Sequence, residues 1–366
     1  MAWTRNPFTP GFGTTPLFLA GRKHILDDMR HAFENGPGDP NLSTIFVGAR
    51  GTGKTALLSG VEVEAGLAGW ISVHVIARPG MLETIYEQAL IAAEHLREQA
   101  ANRQLTGIEV GGLLGIHWEN SSRQAMGWQT RMGMLLDELS RYNTGLLVVV
   151  DEVKASVDEM LELASTYQIF VGEGKRVALV MAGLPSHVSA LVTNEDVSFL
   201  QRARHRRLTR IDDGEIELAF RMTAESMGKP VHEQGLRLAS SAIQGFPYML
   251  QLVGYYAWAL ANNSDVILPD HVTDGISYAR RELSDGVFDA TYRELSKGDR
   301  AFVHAMLEDE EESRLSDIAK RMGKSNSYAS SYKLRLLNHG VIEETLRGCF
   351  VFSIPFFREW LEETGL

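Results

Sequence analysis

Thr44-Ile45-Phe46-Val47-Gly48-Ala49-Arg50-Gly51-Thr52-Gly53-Lys54-Thr55-Ala56-Leu57-Leu58 decides how the chain is read. Gly48 to Thr55 satisfies G-x-x-x-x-G-K-[ST], with a β-branched apolar run before it and a helix-forming run after it. That strand, loop and helix order predicts a phosphate-binding loop. Glycines at 48, 51 and 53 predict left-handed backbone that turns successive N–H groups toward phosphate oxygens. The next helix adds the positive end of its dipole. Ala49, Arg50, Thr52 and Ala56 complete the predicted nucleotide-contacting segment. Lys54 is expected to reach the β- and γ-phosphates of a nucleoside triphosphate, and the Thr55 hydroxyl to ligate Mg²⁺.

A second stretch agrees with the first. Gly145-Leu146-Leu147-Val148-Val149-Val150-Asp151-Glu152 is an unbroken apolar run ending in two carboxylates. Such a run fits a central parallel strand buried on both faces, and its C-terminal end is where open α/β sheets bind ligands. Asp151 is expected to hold Mg²⁺, and Glu152 to orient or deprotonate the water that attacks the γ-phosphate.

Composition sets the surroundings. The 366 residues suffice for two or three domains. The single cysteine, Cys349, excludes an intrachain disulfide and suits a reducing cytoplasm. No apolar run has the length of a membrane helix, and Met1 to Pro7 does not resemble a secretory leader. A formal net charge of −11 argues against chain-wide nucleic-acid affinity, so any such binding must come from a local basic face.

Around these signals the periodicity predicts further elements. Ile25, Leu26, Met29 and Phe33 recur at helical spacing after an arm rich in Pro, Gly and Thr. Trp70 to Ile76 is expected as the second strand and Pro79 to Gln99 as a helix, giving right-handed α/β crossovers. Leu105 to Glu119 suggests a hairpin through Gly111-Gly112, either covering a sheet edge or touching DNA or a neighbouring subunit. Arg176 to Ala182 is another strand, and a short final strand is expected from Arg206, ahead of a helix N-cap at Asp212-Asp213. Gly214 to about Arg281 is helical throughout. Gly245-Phe246-Pro247-Tyr248 opens one of its helices, with Pro247 in the first turn.

The last part predicts helices at Ala301–Leu307, Leu315–Gly323 and Tyr328–Asn338, then strands at Val341–Glu344 and Cys349–Ser353. Three helices and a two-stranded wing predict a winged helix-turn-helix. Arg314, Lys320, Arg321, Lys324, Lys333, Arg335 and Arg347 face only Asp317, Glu343 and Glu344 there, a local positive excess suited to phosphates. Lys324, Ser325, Asn326, Ser327, Ser330, Lys333, Arg335 and Arg347 are the candidate contacts to double-stranded DNA. The hydroxyl and amide groups among them could equally be helix caps.

Taken together, Gly21-Arg22, the Gly48–Thr55 loop, Asp151-Glu152, Ala182-Gly183-Leu184-Pro185, Gly245-Phe246-Pro247-Tyr248 and the C-terminal pattern resemble the bacterial AAA-type P-loop ATPases related to origin-recognition and initiator ATPases, with the STAND signalling ATPases as near relatives. The resemblance implies a parallel-sheet ATPase core at 1–211, an α-helical lid at 212–290 and a winged-helix domain at 291–366. It implies ATP and Mg²⁺ as ligands, slow hydrolysis serving a conformational switch, and DNA held by the winged helix. The alternative is a STAND-like regulator whose winged helix recruits protein. Gly21 and Arg22 stand where this family contacts adenine, Pro247 at the lid side of the nucleotide, and Arg202 or Arg204 where a subunit of a homo-oligomer offers a finger to its neighbour. Two departures stand out. Met181-Ala182-Gly183 lacks the usual polar γ-phosphate sensor, and Pro247-Tyr248 replaces the lid arginine.

Overall fold

The computed structural model describes residues 5–11, 13–104, 126–345 and 348–365. In chain order the elements are α1 (Lys23–Asn35), β1 (Ser43–Val47), α2 (Lys54–Leu67), β2 (Ile71–Ile76), α3 (Met81–Gln104), α4 (Trp128–Arg141), β3 (Leu146–Asp151), α5 (Asp158–Gly172), β4 (Val177–Gly183), α6 (Pro185–Val192) and β5 (Arg204–Arg207). Four helices follow, α7 (Asp213–Glu225), α8 (Glu233–Ile243), α9 (Pro247–Leu260) and α10 (Pro269–Leu283). The remainder is α11 (Asp289–Glu294), α12 (Lys297–Met306), β6 (Ser313–Arg314), α13 (Leu315–Arg321), α14 (Asn326–His339), β7 (Ile342–Glu344), β8 (Cys349–Phe352) and α15 (Phe357–Thr364).

The apolar runs explain the sheet. β3 and β4 are buried at every position, as strands covered on both faces must be. The order is β2-β3-β4-β1-β5, all parallel. Alternate side chains point to opposite faces. Phe46, Leu147, Val149, Ala178 and Val180 therefore pack under α1 and α2, while Ile45, Val148, Val150, Leu179 and Met181 pack under α3, α4 and α5. The pairings Val47–Gly183, Val47–Arg207 and Ile76–Asp151 align the C-terminal ends of all five strands along one edge. The phosphate loop and the β3 carboxylates emerge at that edge.

Helices α7 to α10 build a second core, which also takes in the N-terminal arm. Phe8 is buried against Phe220, ring centroids 4.9 Å apart. This apolar cluster runs unbroken into the C-terminal part through Phe288, Tyr292, Phe357 and Trp360. Phe288 lies 5.6 Å from Phe357 and 5.8 Å from Trp360, centroid to centroid. Helix α12 begins with a reciprocal capping box between Ser296 and Asp299. Ser325 caps α14 by accepting from the Tyr328 N–H, and left-handed Gly340 ends it. β6, β8 and β7 form an antiparallel sheet of three strands.

Several expectations shift. The helix expected from Pro79 begins at Met81 and runs on to Gln104. The final sheet strand starts at Arg204 rather than Arg206, because its pairing with β1 begins opposite Thr44. The first C-terminal helix starts four residues early, drawn back by the Ser296 cap. Asp212 stands at the N-cap of α7 without a side-chain capping bond. Neither β6 nor α15 follows from periodicity, the first being two residues long. The hairpin expected at Leu105–Glu119 lies outside the described residues.

Candidate functional site

The loop between β1 and α2 carries two left-handed glycines, Gly51 at φ 78° and Gly53 at φ 81°. Gly48 is different and corrects the expectation. Its backbone is not left-handed, and glycine is needed for space, since a Cβ there would come within 2.6 Å of the Thr52 hydroxyl and 3.2 Å of Leu208 Cβ. The Lys54 ammonium donates to the Gly48 carbonyl at 3.0 Å and the Ala49 carbonyl at 2.6 Å. Thr52 donates to the same Ala49 oxygen at 2.8 Å. Burial pushes the Lys54 pKa down to about 8, against the pull of Asp151 and Glu152.

Thr55 and Asp151 meet directly. The Thr55 hydroxyl donates to Asp151 Oδ2 at 2.6 Å, and Asp151 Oδ1 accepts the Glu152 N–H at 2.7 Å. Asp151 is buried, whereas the Glu152 side chain is exposed on a left-handed backbone with φ 53°. The end of β4 locks these parts together. The Gly48 N–H donates to Gly183 O and the Val153 N–H to Ala182 O, and a Cβ on Gly183 would meet Val153 Cγ2 at 2.5 Å. Packing therefore occupies the stretch where a polar sensor was sought. The first titratable side chain beyond it is His187 on α6, which sequence reasoning missed. Burial, and then the charge of Lys154, lower the His187 pKa, while Glu152 raises it and Arg50 adds to the lowering. No spacing rule marks this histidine, because its place depends on the direction in which α6 leaves β4.

Of the other expected nucleotide contacts, Pro247 borders the same loop, whereas Gly21 and Arg22 pack on the segment that follows β5. Gly21, at φ 63°, lies against Ile211, where a Cβ would be 2.9 Å from Cγ2. Arg22 is buried, and its guanidinium donates to Thr209 O at 2.9 Å. Desolvation lowers its pKa. Pro247 packs on Gly53, 3.6 Å from a Cβ built there. The aromatic ring of Phe246 lies over Gly51, leaving no space for even a methyl group. That contact too was missed, since nothing in the sequence links residues so far apart. Ala56 occupies the first turn of α2. Arg50 projects outward and its Nη1 contacts both carboxylate oxygens of Glu294, at 2.9 and 3.1 Å.

Two groups of expected residues stand apart. Arg202 and Arg204 are exposed. Arg204 opens the edge strand opposite Thr44, at the far end of the strand from Gly48, so within one chain neither arginine joins the loop. On α14, Arg335 is half-exposed, yet against expectation its guanidinium is tied back to the fold. It grips the fully buried Asp299 through Nη2 at 2.9 Å and Nε at 3.2 Å, because the Ser296 cap alone leaves that carboxylate underpartnered in an apolar site. Arg321 is likewise bound to Asp309 and to Ala305 O. Ser325 is a cap, Lys324 lies 5.5 Å from the Tyr328 ring centroid and Lys333 5.8 Å from that of Phe350. Lys324, Asn326 and Ser327 are exposed and Ser330 partly so. Arg347 lies outside the described residues.

Comparisons with known proteins bear on the fold. A family model described as "Domain of unknown function (DUF8462)" matches residues 285–361. No curated protein sequence matches the chain. Among solved structures, the Walker-type ATPase PABY2304 of Pyrococcus abyssi superposes with a TM-score of 0.63 at 15% identity, over 94% of this chain and 96% of that one. The ADP form of the Aeropyrum pernix ORC2 protein gives 0.51 at 15% identity, over 97% and 96%. With the five-stranded parallel sheet and its loop, these likenesses show that the chain is built on the P-loop ATPase fold of the AAA+ type.

Proposed function

We propose that the chain is an ATP-binding and slowly hydrolysing switch. The observation that carries this reading is the 2.6 Å contact between the Thr55 hydroxyl and the Asp151 carboxylate at the mouth of the Gly48–Thr55 loop. Two oxygens of this kind, beside a lysine, fit Mg²⁺, which favours oxygen ligands and shares its shell with phosphates and water. When bound, the ion neutralises charge developing on the phosphates. Lys54 leaves its carbonyl partners to neutralise phosphate oxygens, and the loop N–H groups hold the β-phosphate. Glu152, exposed and one residue beyond Asp151, accepts a proton from the attacking water or orients it. Gly21, Arg22 and Pro247 frame the base on the side of Thr209 and Gly53.

The C-terminal elements form the output of this switch, as a winged helix-turn-helix whose α14 meets double-stranded DNA. The exposed front of α14, with Lys324, Asn326 and Ser327, supports that reading. The pairing of Arg321 and Arg335 with carboxylates favours a second one, in which the same module recruits protein, because it offsets the charge of two cations that DNA would otherwise meet. In an oligomer, Arg202 or Arg204 would reach a neighbour's nucleotide.

Glu152→Gln tests the chemistry. It should retain Mg-ATP binding and lose turnover by ~10²- to 10⁴-fold, the usual contribution of a general base. Unchanged turnover would remove Glu152 from the mechanism. A salt titration of duplex DNA binding, with and without ATP, separates the two outputs, since phosphate contacts must produce a slope.

A further inference from the structure

The helical lid and the C-terminal elements share one apolar core and together form one packed body. That body touches the phosphate loop at consecutive residues. Phe246 covers Gly51, Glu294 pairs with Arg50, and Gly340, at the end of α14, abuts Ala49 with no space for a side chain. The covalent link from β5 to this body is short, from Leu208 to Asp212, and Arg210 sits within it.

Arg210 faces both ways. A Cβ on Gly245 would lie 2.8 Å from Arg210 Cβ and 2.6 Å from Ile211 O, and the Ile211 N–H donates to Gly245 O at 2.9 Å. Gly245 is the neighbour of Phe246, hence one residue from the loop contact. In the other direction the guanidinium reaches both strands of the C-terminal hairpin. Its Nε lies 2.6 Å from Glu343 Oε1 on β7, and its Nη2 donates to Phe352 O on β8 at 2.7 Å.

We propose that Arg210 is the positioning residue through which the state of the phosphate loop reaches the β7–β8 hairpin. The inference rests on the reading of the loop as a nucleotide site. Recruiting Lys54 to phosphate takes its ammonium from the Gly48 and Ala49 carbonyls. A close-packed interface has no slack to absorb the shift. The displacement at Ala49 to Gly51 passes to Gly340 and Phe246 together, and through Gly245 to Arg210, which releases Glu343 and Phe352 O. The ion pair itself is partly exposed and contributes little to stability. Its importance lies in being held at both ends.

The test uses the full chain in the Glu152→Gln background, which keeps nucleotide bound without turnover. Fluorescent ATP first reports binding, and amide hydrogen exchange then follows residues 342–352 with and without Mg-ATP. The expected result is exchange in that segment that rises at least several-fold with ATP. With Arg210→Ala added, exchange should be high from the start and indifferent to ATP while ATP still binds. The double exchange Arg210→Glu with Glu343→Arg should restore part of the response if it folds. Glu343→Gln, which keeps size and hydrogen bonding, should give an intermediate baseline and serves as the milder variant should Arg210→Ala not fold. ATP binding with an unchanged hairpin, or an undiminished response in both Arg210→Ala and Glu343→Gln, overturns the coupling alone. Absence of ATP binding overturns the functional reading first and the coupling with it.

Discussion

Two groups of charged side chains in this molecule were equally visible in the sequence and met opposite fates. At the C-terminal edge of the sheet, Lys54, Thr55, Asp151 and Glu152 converge. On α14, a helix equally rich in polar groups, the charges part company. Arg335, half-exposed, reaches back to Asp299, while Lys324, just ahead of the helix, points to solvent. The difference lies in what sets position. A loop clamped between a parallel strand and a helix fixes its side chains through backbone geometry, and β1 and β3 end at the same edge because β4 pairs with both. On a helix surface a long arginine goes to whatever buried carboxylate lies within reach.

Mutations at the two regions should break in different currencies. Lys54→Ala should weaken ATP binding by about 10- to 100-fold, the range of one or two charge-assisted hydrogen bonds, without lowering the melting temperature. Calorimetric titration checks it, and a large loss of stability would show that the lysine mainly holds its own loop. Arg335→Ala should do the reverse. It leaves Asp299 buried with only the Ser296 cap, at a cost of about 2 kcal/mol, less than for a fully buried pair because the guanidinium is half-exposed. Denaturant unfolding measures it, and ATP affinity should hold. Lys324→Glu is the milder probe of the α14 front. It should lower duplex DNA affinity several-fold and flatten the salt slope by about one, with unfolding unchanged. A flat slope in the parent protein favours the protein-recruiting output.

Lys54 also carries a pH dependence. The folded pKa of Lys54 is lowered to about 8 from an ordinary 10.5. Between those values the folded chain has released a proton that the unfolded chain still holds, so stability without nucleotide should rise with pH across that window. ATP affinity should fall over the same interval, as the ammonium is lost. A measured affinity that is level from pH 7 to 9.5 would break the link between this burial and phosphate binding.

What could be read ahead follows the same division. The loop and β3 were legible because each is contiguous, and full burial of β3 on both faces writes an unbroken apolar run. The parallel order follows from alternation of strands and helices. Phe246 over Gly51, Gly340 against Ala49 and Arg335 on Asp299 were not legible. Their partners lie far apart in the chain, and no periodicity encodes which exposed glycine or arginine will find a tertiary neighbour. Gly48 was legible as glycine but for another reason, a requirement for room rather than for a left-handed turn.

Glu152 carries a cost of a different kind. Its backbone sits at φ 53°, a region that a side chain with a Cβ enters at a penalty of roughly 1–2 kcal/mol. Glycine would relieve that penalty, so Glu152→Gly should yield a protein that melts higher and turns over no ATP. Selection for heat resistance alone would discard this glutamate. On the proposed reading, the strained backbone at this glutamate is stability given up for hydrolysis.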